Sequence, residues 1–217
     1  MIKNEIKSVL DVNCPDQTMS LIEAIKWKNY ELADQLITNG YGLNETDYDG
    51  YTPLMLLLYK LRKTDTVCLE LFTKLIDAGA DVNIEHCNGW TALVFAAFYD
   101  HSVYTVRMLI DAGADVNYKG NNWTALKYTL VYERSIYTVR ILIDAGADVN
   151  VKDNGGGTAL LYAVIYERSI YIVRMLIDAG ADLNIKTNSG HTALTSVKNH
   201  RTYSSVDSVK MLIEADF

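Results

Sequence analysis

The stretch Leu75-Ile76-Asp77-Ala78-Gly79-Ala80-Asp81-Val82-Asn83 decides the reading of this chain, because it returns at 109–117, 142–150 and 176–184, with Leu183 replacing valine in the last copy. Its glycines, Gly79, Gly113, Gly146 and Gly180, stand 34, 33 and 34 residues apart. A second string, Thr then Pro or Ala then Leu, begins at Thr52, Thr91, Thr124, Thr158 and Thr192, at intervals of 39, 33, 34 and 34. Two independent strings on one period identify a repeat array.

One unit can be read from its residues. A threonine before an apolar run starts a helix, since its hydroxyl accepts an orphan N–H. After Thr91 the apolar positions Leu93, Ala96 and Ala97 mark one helical face. The polar run Tyr99-Asp100-His101-Ser102 is a loop, and a second helix follows with Val106, Leu109 and Ile110 inward. Gly113 supplies its left-handed cap. Ala-Asp-Val-Asn then leads an extended turn to the next threonine. A helix pair this small cannot bury its own apolar face, so neighbours must stack.

These strings resemble the ankyrin-repeat family, whose unit of about 33 residues opens on Thr-Pro-Leu-His-x-Ala. Thr52-Pro53-Leu54 keeps the proline, whereas Met55, Val94, Lys127, Leu161 and Thr195 stand where the family has histidine, which weakens one local hydrogen bond per unit. The resemblance implies an all-α solenoid of about six helix-loop-helix units with extended turns. It covers residues 18–217, with units starting near Met19, Thr52, Thr91, Thr124, Thr158 and Thr192. Residues 1–17 are an extension or a short capping helix.

The second unit is longer, and its extra residues fall around Leu61-Arg62-Lys63-Thr64-Asp65-Thr66, read as a charged loop. The turn from Gly113 to Thr124 is short. Asn122 stands there in place of the glycine at 50, 89, 156 and 190, and Asn is the next residue to tolerate a left-handed backbone. Ser20-Leu21-Ile22-Glu23 has the spacing of a capping box. Lys26, Lys28 and Asn29 in the first unit, and Lys198-Asn199-His200-Arg201 in the last, give both ends the polar faces of caps.

Composition limits the function. The 217 residues carry a net charge of −7, which argues against nucleic acid and against an anionic membrane surface. No apolar run reaches the roughly 18 residues of a membrane helix, and the N-terminus lacks a signal-peptide core. Cys14, Cys68 and Cys87 form no disulfide pattern, which suits a reducing compartment. The expected setting is cytoplasmic, with the nucleus open. The near-identity of 132–137 and 166–171 indicates duplication, a style shared with arrays of giant DNA viruses and intracellular bacteria, for which the host cytoplasm would be the setting.

No catalytic constellation emerges. His86 with Cys87 is the one adjacent metal-capable pair, too few for zinc, and each reads as a loop residue. Gly155-Gly156-Gly157 lies in a turn without the lysine of a phosphate loop. Asp111, Asp144 and Asp178 follow Arg107, Arg140 and Arg174 by four residues, the spacing of a solvated salt ladder. The chain is therefore read as a non-enzyme without cofactor or metal.

Tyrosine is abundant, at 15 residues, and periodic. Tyr51, Trp90, Trp123 and His191 directly precede threonines of the repeat, while Tyr59, Phe98, Tyr99, Tyr132 and Tyr166 stand near the ends of first helices. The resemblance implies that these positions lie on the concave face and turn tips, where they would form a partner-binding stripe. A second series, Tyr104, Tyr137 and Tyr171, starts the second helices and is expected to pack structurally. Asn83, Asn117, Asn150 and Asn184 match the position hydroxylated in ankyrin repeats of animal cells, although their own chemistry reads as turn stabilisation. The expected function is a protein–protein interaction module, monomeric in the absence of its partner. The alternative is a substrate adaptor for a ubiquitin ligase or other host machinery, although no recruiting segment is recognisable after Asp207.

Overall fold

The computed structural model describes residues 19–61, 66–99, 103–132, 135–166 and 168–199. The expected N-terminal covering helix, most of the charged loop at 61–66, and the loop at Asp100–Ser102 lie outside the described residues. So do the second helix of the last unit and the side chains of its polar cap. Among the described residues are eleven helices and no strand.

First helices are α1 (Leu21–Lys26), α3 (Pro53–Lys60), α5 (Ala92–Phe98), α7 (Ala125–Val131), α9 (Ala159–Ile165) and α11 (Ala193–Asn199). Second helices are α2 (Tyr30–Thr38), α4 (Thr66–Asp77), α6 (Val103–Asp111), α8 (Ile136–Asp144) and α10 (Ile170–Asp178). Each first helix packs on the next first helix, each second helix on the next second helix, and the two within a unit on each other. The result is two parallel rows of helices.

The rows differ in burial. Expectation placed only one face of α5 inward, yet Ala92 through Ala97 are all buried, as are Pro53 through Leu58 of α3. Each inner first helix has neighbours on three sides, so an all-apolar sequence suits it. Second helices bury one stripe, such as Val139, Ile141 and Leu142 in α8.

Local chemistry sets the helix ends. The hydroxyls of Thr52, Thr124 and Thr158 accept from the backbone N–H three residues on, and Ser20 with Glu23 forms the expected capping box. Thr91 is the exception, since its buried hydroxyl has no partner among the described residues. Gly113 closes α6 at φ 88°, donating to Ile110 O while Ala114 donates to Leu109 O.

The insertion of the second unit is not all loop. Helix α4 has 12 residues against 9 in α6, α8 and α10, so part of the extra length adds a turn at its start. The expected salt ladder is not formed. Among the described residues, no ion pair joins Arg107, Arg140 or Arg174 to the aspartate four residues on, although all six are exposed.

The expected extended turns are hairpin-like tips. His86 N donates to Trp90 O at 2.8 Å and Gly89 N to His86 O, a three-residue loop with Gly89 at φ 72°. The tips at Asp47–Tyr51, Asp153–Gly157 and Thr187–His191 repeat this bonding. The tip before Thr124 has lost one residue. It closes with Trp123 N on Gly120 O, and both Asn121 and Asn122 have positive φ (50° and 66°), the backbone of a two-residue primed turn. Gly120 lies against Gly89, and the Asn121 amide bonds Asn88 O.

Asparagines connect the units. Asn83 donates to Gly113 O and accepts from Asp115 N, at 3.0 and 2.8 Å. Asn117 bonds Gly146 O and Asp148 N in the same way, and Asn150 bonds Gly180 O and Asp182 N. Each asparagine thus completes the helix end of the following unit, the stabilising role expected from its own chemistry.

A candidate partner-binding face

The first helices of units 3, 4 and 5 end on the C-caps Tyr99, Tyr132 and Tyr166, which remain 40%, 45% and 43% exposed. Tyr59, on the last turn of α3, is 59% exposed. These four tyrosines form the exposed row. His191 is also exposed but joins none of the ring contacts among the described residues, and its Nδ1 meets Ser189 Oγ at 3.0 Å.

Expectation placed the whole stripe at the surface, and part of it is not there. Tyr51, Trp90, Phe98 and Trp123 are half-buried and pack on the core. Trp90 donates its indole N–H to the Tyr128 hydroxyl at 3.0 Å. The residues before the threonines lie at the foot of each tip, so the helix of the next unit covers them. Trp90 and Trp123 are therefore structural wedges whose removal would cost stability.

Sequence reasoning missed two things. Phe95, Tyr128 and Tyr162 lie four residues after Thr91, Thr124 and Thr158, and each stacks within 6.3 Å of the tyrosine four residues on. With Trp90, Phe98 and Trp123 they form a floor of rings at centroid distances of 4.6–6.3 Å beneath the exposed row. The signal was an i, i+4 aromatic pair in three successive units. Trp27, the C-cap of α1, is 77% exposed and extends the row into the first unit.

The second aromatic series is a correction. Tyr104, Tyr137 and Tyr171 are 55%, 70% and 71% exposed instead of packed. They precede Arg107, Arg140 and Arg174 by three residues, so helical geometry puts them on the same outer face.

His86 is also corrected, for it is a core residue at 4% exposure. Its ring lies 4.2 Å from Tyr51 and 5.5 Å from Phe95, and Nδ1 accepts from Asn88 N. Burial pushes the imidazole below its ordinary 6.5, although Asp47 and Asp49 oppose the shift. The unfolded chain therefore takes up the proton first, and folding stability falls as pH drops through 6.5. The urea midpoint should fall between about one unit above and one unit below that value, and the fall should be smaller in His86→Gln. Equal falls would remove His86 as the cause.

Lys127 occupies the family's histidine position and is 1% exposed. The local hydrogen bond expected to weaken here is replaced by one to the next unit. Lys127 Nζ donates to Gly157 O at 2.7 Å and lies 3.5 Å from the Asp153 carboxylate. Burial pushes the ammonium down, while Asp153 opposes the shift. Asp153 also accepts from Gly155 N, Gly157 N and the Tyr162 hydroxyl, and these bonds with Lys127 outweigh its burial and hold it below the usual carboxylate range. The cluster is walled in and offers no access to a substrate.

Among the described residues, no group of three or more metal-capable side chains gathers, and no helix is long and apolar enough to cross a membrane. Cys68 is a buried thiol and Cys87 an exposed one.

Comparison with known proteins agrees with the geometry. The family model for ankyrin repeats (3 copies) matches residues 21–119, 63–153 and 134–217. The crystal structure of EF0377, an ankyrin repeat protein, is similar, with a TM-score of 0.76 and 23% identity over 92% of this chain and 98% of that one. The ankyrin repeat domain of Bcl-3, described as a unique member of the IkappaB protein family, gives a TM-score of 0.75 and 25% identity over 92% of this chain and 87% of that one. No curated protein matches the sequence.

Proposed function

Because the chain belongs to the ankyrin-repeat family, whose arrays generally serve as protein–protein interaction modules, we propose that it binds a partner protein along the exposed aromatic row at the ends of its first helices. The observation that carries this reading is the row itself: Tyr59, Tyr99, Tyr132 and Tyr166 stand exposed on a packed floor of rings. Tyrosine is enriched at binding hot spots. Rings held from below lose little freedom when a partner arrives, which favours affinity. In the family this side is concave, and His191 and the tips would flank the bound partner.

A photo-crosslinking residue should be placed at Tyr99 or Tyr132, and separately at Tyr137 on the outer face. Adducts with a specific partner are expected from the first two positions. The reading fails if adducts arise only from Tyr137, or equally from all three.

The adaptor reading, in which the array carries its target to a further assembly such as a ubiquitin ligase, draws support from Tyr104, Tyr137 and Tyr171. These residues provide a second exposed face on the second helices. In either reading the chain acts as a monomer in the cytoplasm or nucleus, where thiols such as Cys68 and Cys87 stay reduced. Among the described residues no group with catalytic chemistry supports an enzyme, and the acidic charge disfavours nucleic acid.

A further inference from the structure

The residue that follows each exposed ring changes sign along the sequence. The residue after each exposed ring is Lys28 in the first unit and Lys60 in the second, but Asp100, Glu133 and Glu167 in the next three. At the other end Arg168 lies over the Tyr166 ring, 5.7 Å from its centroid, so what sets the first two units apart is a lysine directly after the ring.

The structure builds the lysine end deliberately. Lys28 sits at φ 62° in a left-handed cap, where its N–H donates to Ile25 O and the Asn29 N–H donates to Ala24 O. Glycine is the ordinary residue there, and a lysine is held at a cost of about 1 kcal/mol. Lys60 Nζ reaches across the unit boundary to Lys26 O at 3.2 Å, which places its ammonium at the C-terminal end of α1 beside Trp27. Lys26 is already engaged, with Asp47 at 2.6 Å. Trp27 is the most exposed ring of the row, at 77%. An exposed lysine in a left-handed cap and the open Trp27 ring thus stand at the end of α1, and Lys60, next to the open Tyr59, is bonded to that same helix end.

We propose that Trp27, Lys28, Tyr59 and Lys60 seat an acidic, apolar linear segment of the partner protein. The carboxylates of that segment would meet the two ammonium groups and its apolar side chains would lie on the two rings. This inference rests on the partner-binding reading of the row and adds the chemistry of the partner.

Three synthetic peptides of equal length and leucine content, bearing glutamate, glutamine or lysine between the leucines, test it by titration against the intact chain. Fluorescence is followed, with Trp27→Phe identifying the contribution of Trp27. The glutamate peptide should bind best, perturb Trp27 and weaken with salt. Lys28→Glu with Lys60→Glu should reduce its binding at least about tenfold and abolish the preference over the glutamine peptide. Circular dichroism of this exposed-site variant guards against misfolding. If all three peptides bind equally and Tyr99→Ala with Tyr132→Ala weakens them equally, the row is a docking track but the acidic specificity is overturned. Stronger binding of the lysine peptide, or no binding of the glutamate peptide, also overturns it. Binding of the chain to phosphatidylserine vesicles in preference to the glutamate peptide would assign the cations to a membrane and overturn it too. Crosslinking at Tyr99 and Tyr132 remains a separate readout of the row itself.

Discussion

Gly120→Ala should be the most damaging single-methyl change in the array, lowering stability by about 3 kcal/mol or more. A β-carbon at residue 120 would lie 1.6 Å from Gly89 O and 2.8 Å from Gly89 C. Both sides of that contact are backbone, so no side chain can rotate away. Relief requires the tip of unit 4 to part from the tip of unit 3, which also strains the bond from Asn121 to Asn88. Because a solenoid is held by nearest-neighbour interfaces, weakening this seam should broaden urea unfolding or split it into two transitions. Gly113→Ala is the control. Its β-carbon would meet nothing within 4 Å, and only the left-handed φ of 88° opposes it, at about 1–2 kcal/mol. Equal midpoints for the two variants would refute the steric argument.

Lys127→Ala should cost about 3–5 kcal/mol, because it removes the cation from a buried pair and opens a cavity. The Asp153 carboxylate would keep Tyr162, Gly155 and Gly157 as donors but lose its counter-charge. Lys127→Met, which fills most of the space, should cost less, and adding Asp153→Asn should recover part of the remainder. The pH dependence follows from the same pair. Asp153 is held below its ordinary 3.8, so its stabilising effect is present above that value and disappears as pH falls through the lowered folded value. In Lys127→Met the carboxylate loses one of the influences that lower it, so acid unfolding should begin at higher pH than in wild type. An unchanged acid midpoint would show that the ammonium is not coupled to Asp153.

How far these features were legible depends on the range of the interaction. Ser20 with Glu23, Gly113 as a cap and Asn122 as a left-handed turn residue are local, and each was readable from its neighbours. The exposure of Tyr137 was readable too, because the spacing that places Asp144 on the outer face with Arg140 also places Tyr137 there. Burial of Lys127 and His86 was not readable. A charge or an imidazole reads as surface unless its partner is visible, and Asp153 lies 26 residues from Lys127 and Tyr51 35 residues from His86. Trp90 and Trp123 were misjudged for the same reason, since what covers them, Tyr128 and Tyr162, belongs to the following unit. Trp27 escaped notice because the first unit lacks both of the strings that align the others.

The asparagine bonds have a consequence for how such a chain can change in length. Asn83, Asn117 and Asn150 each grip the same two backbone groups of whichever unit follows. A copied or deleted unit therefore arrives at a join that is already correct, with no new seam to invent. One boundary lacks this freedom. Where the fourth unit meets the Asp153–Gly157 tip that leads into the fifth, the join also carries Lys127 and Asp153, so a cut before that tip strands a buried charge on each side. Gene-level expansion and contraction should be resisted there, which makes the fourth and fifth units an inheritable pair.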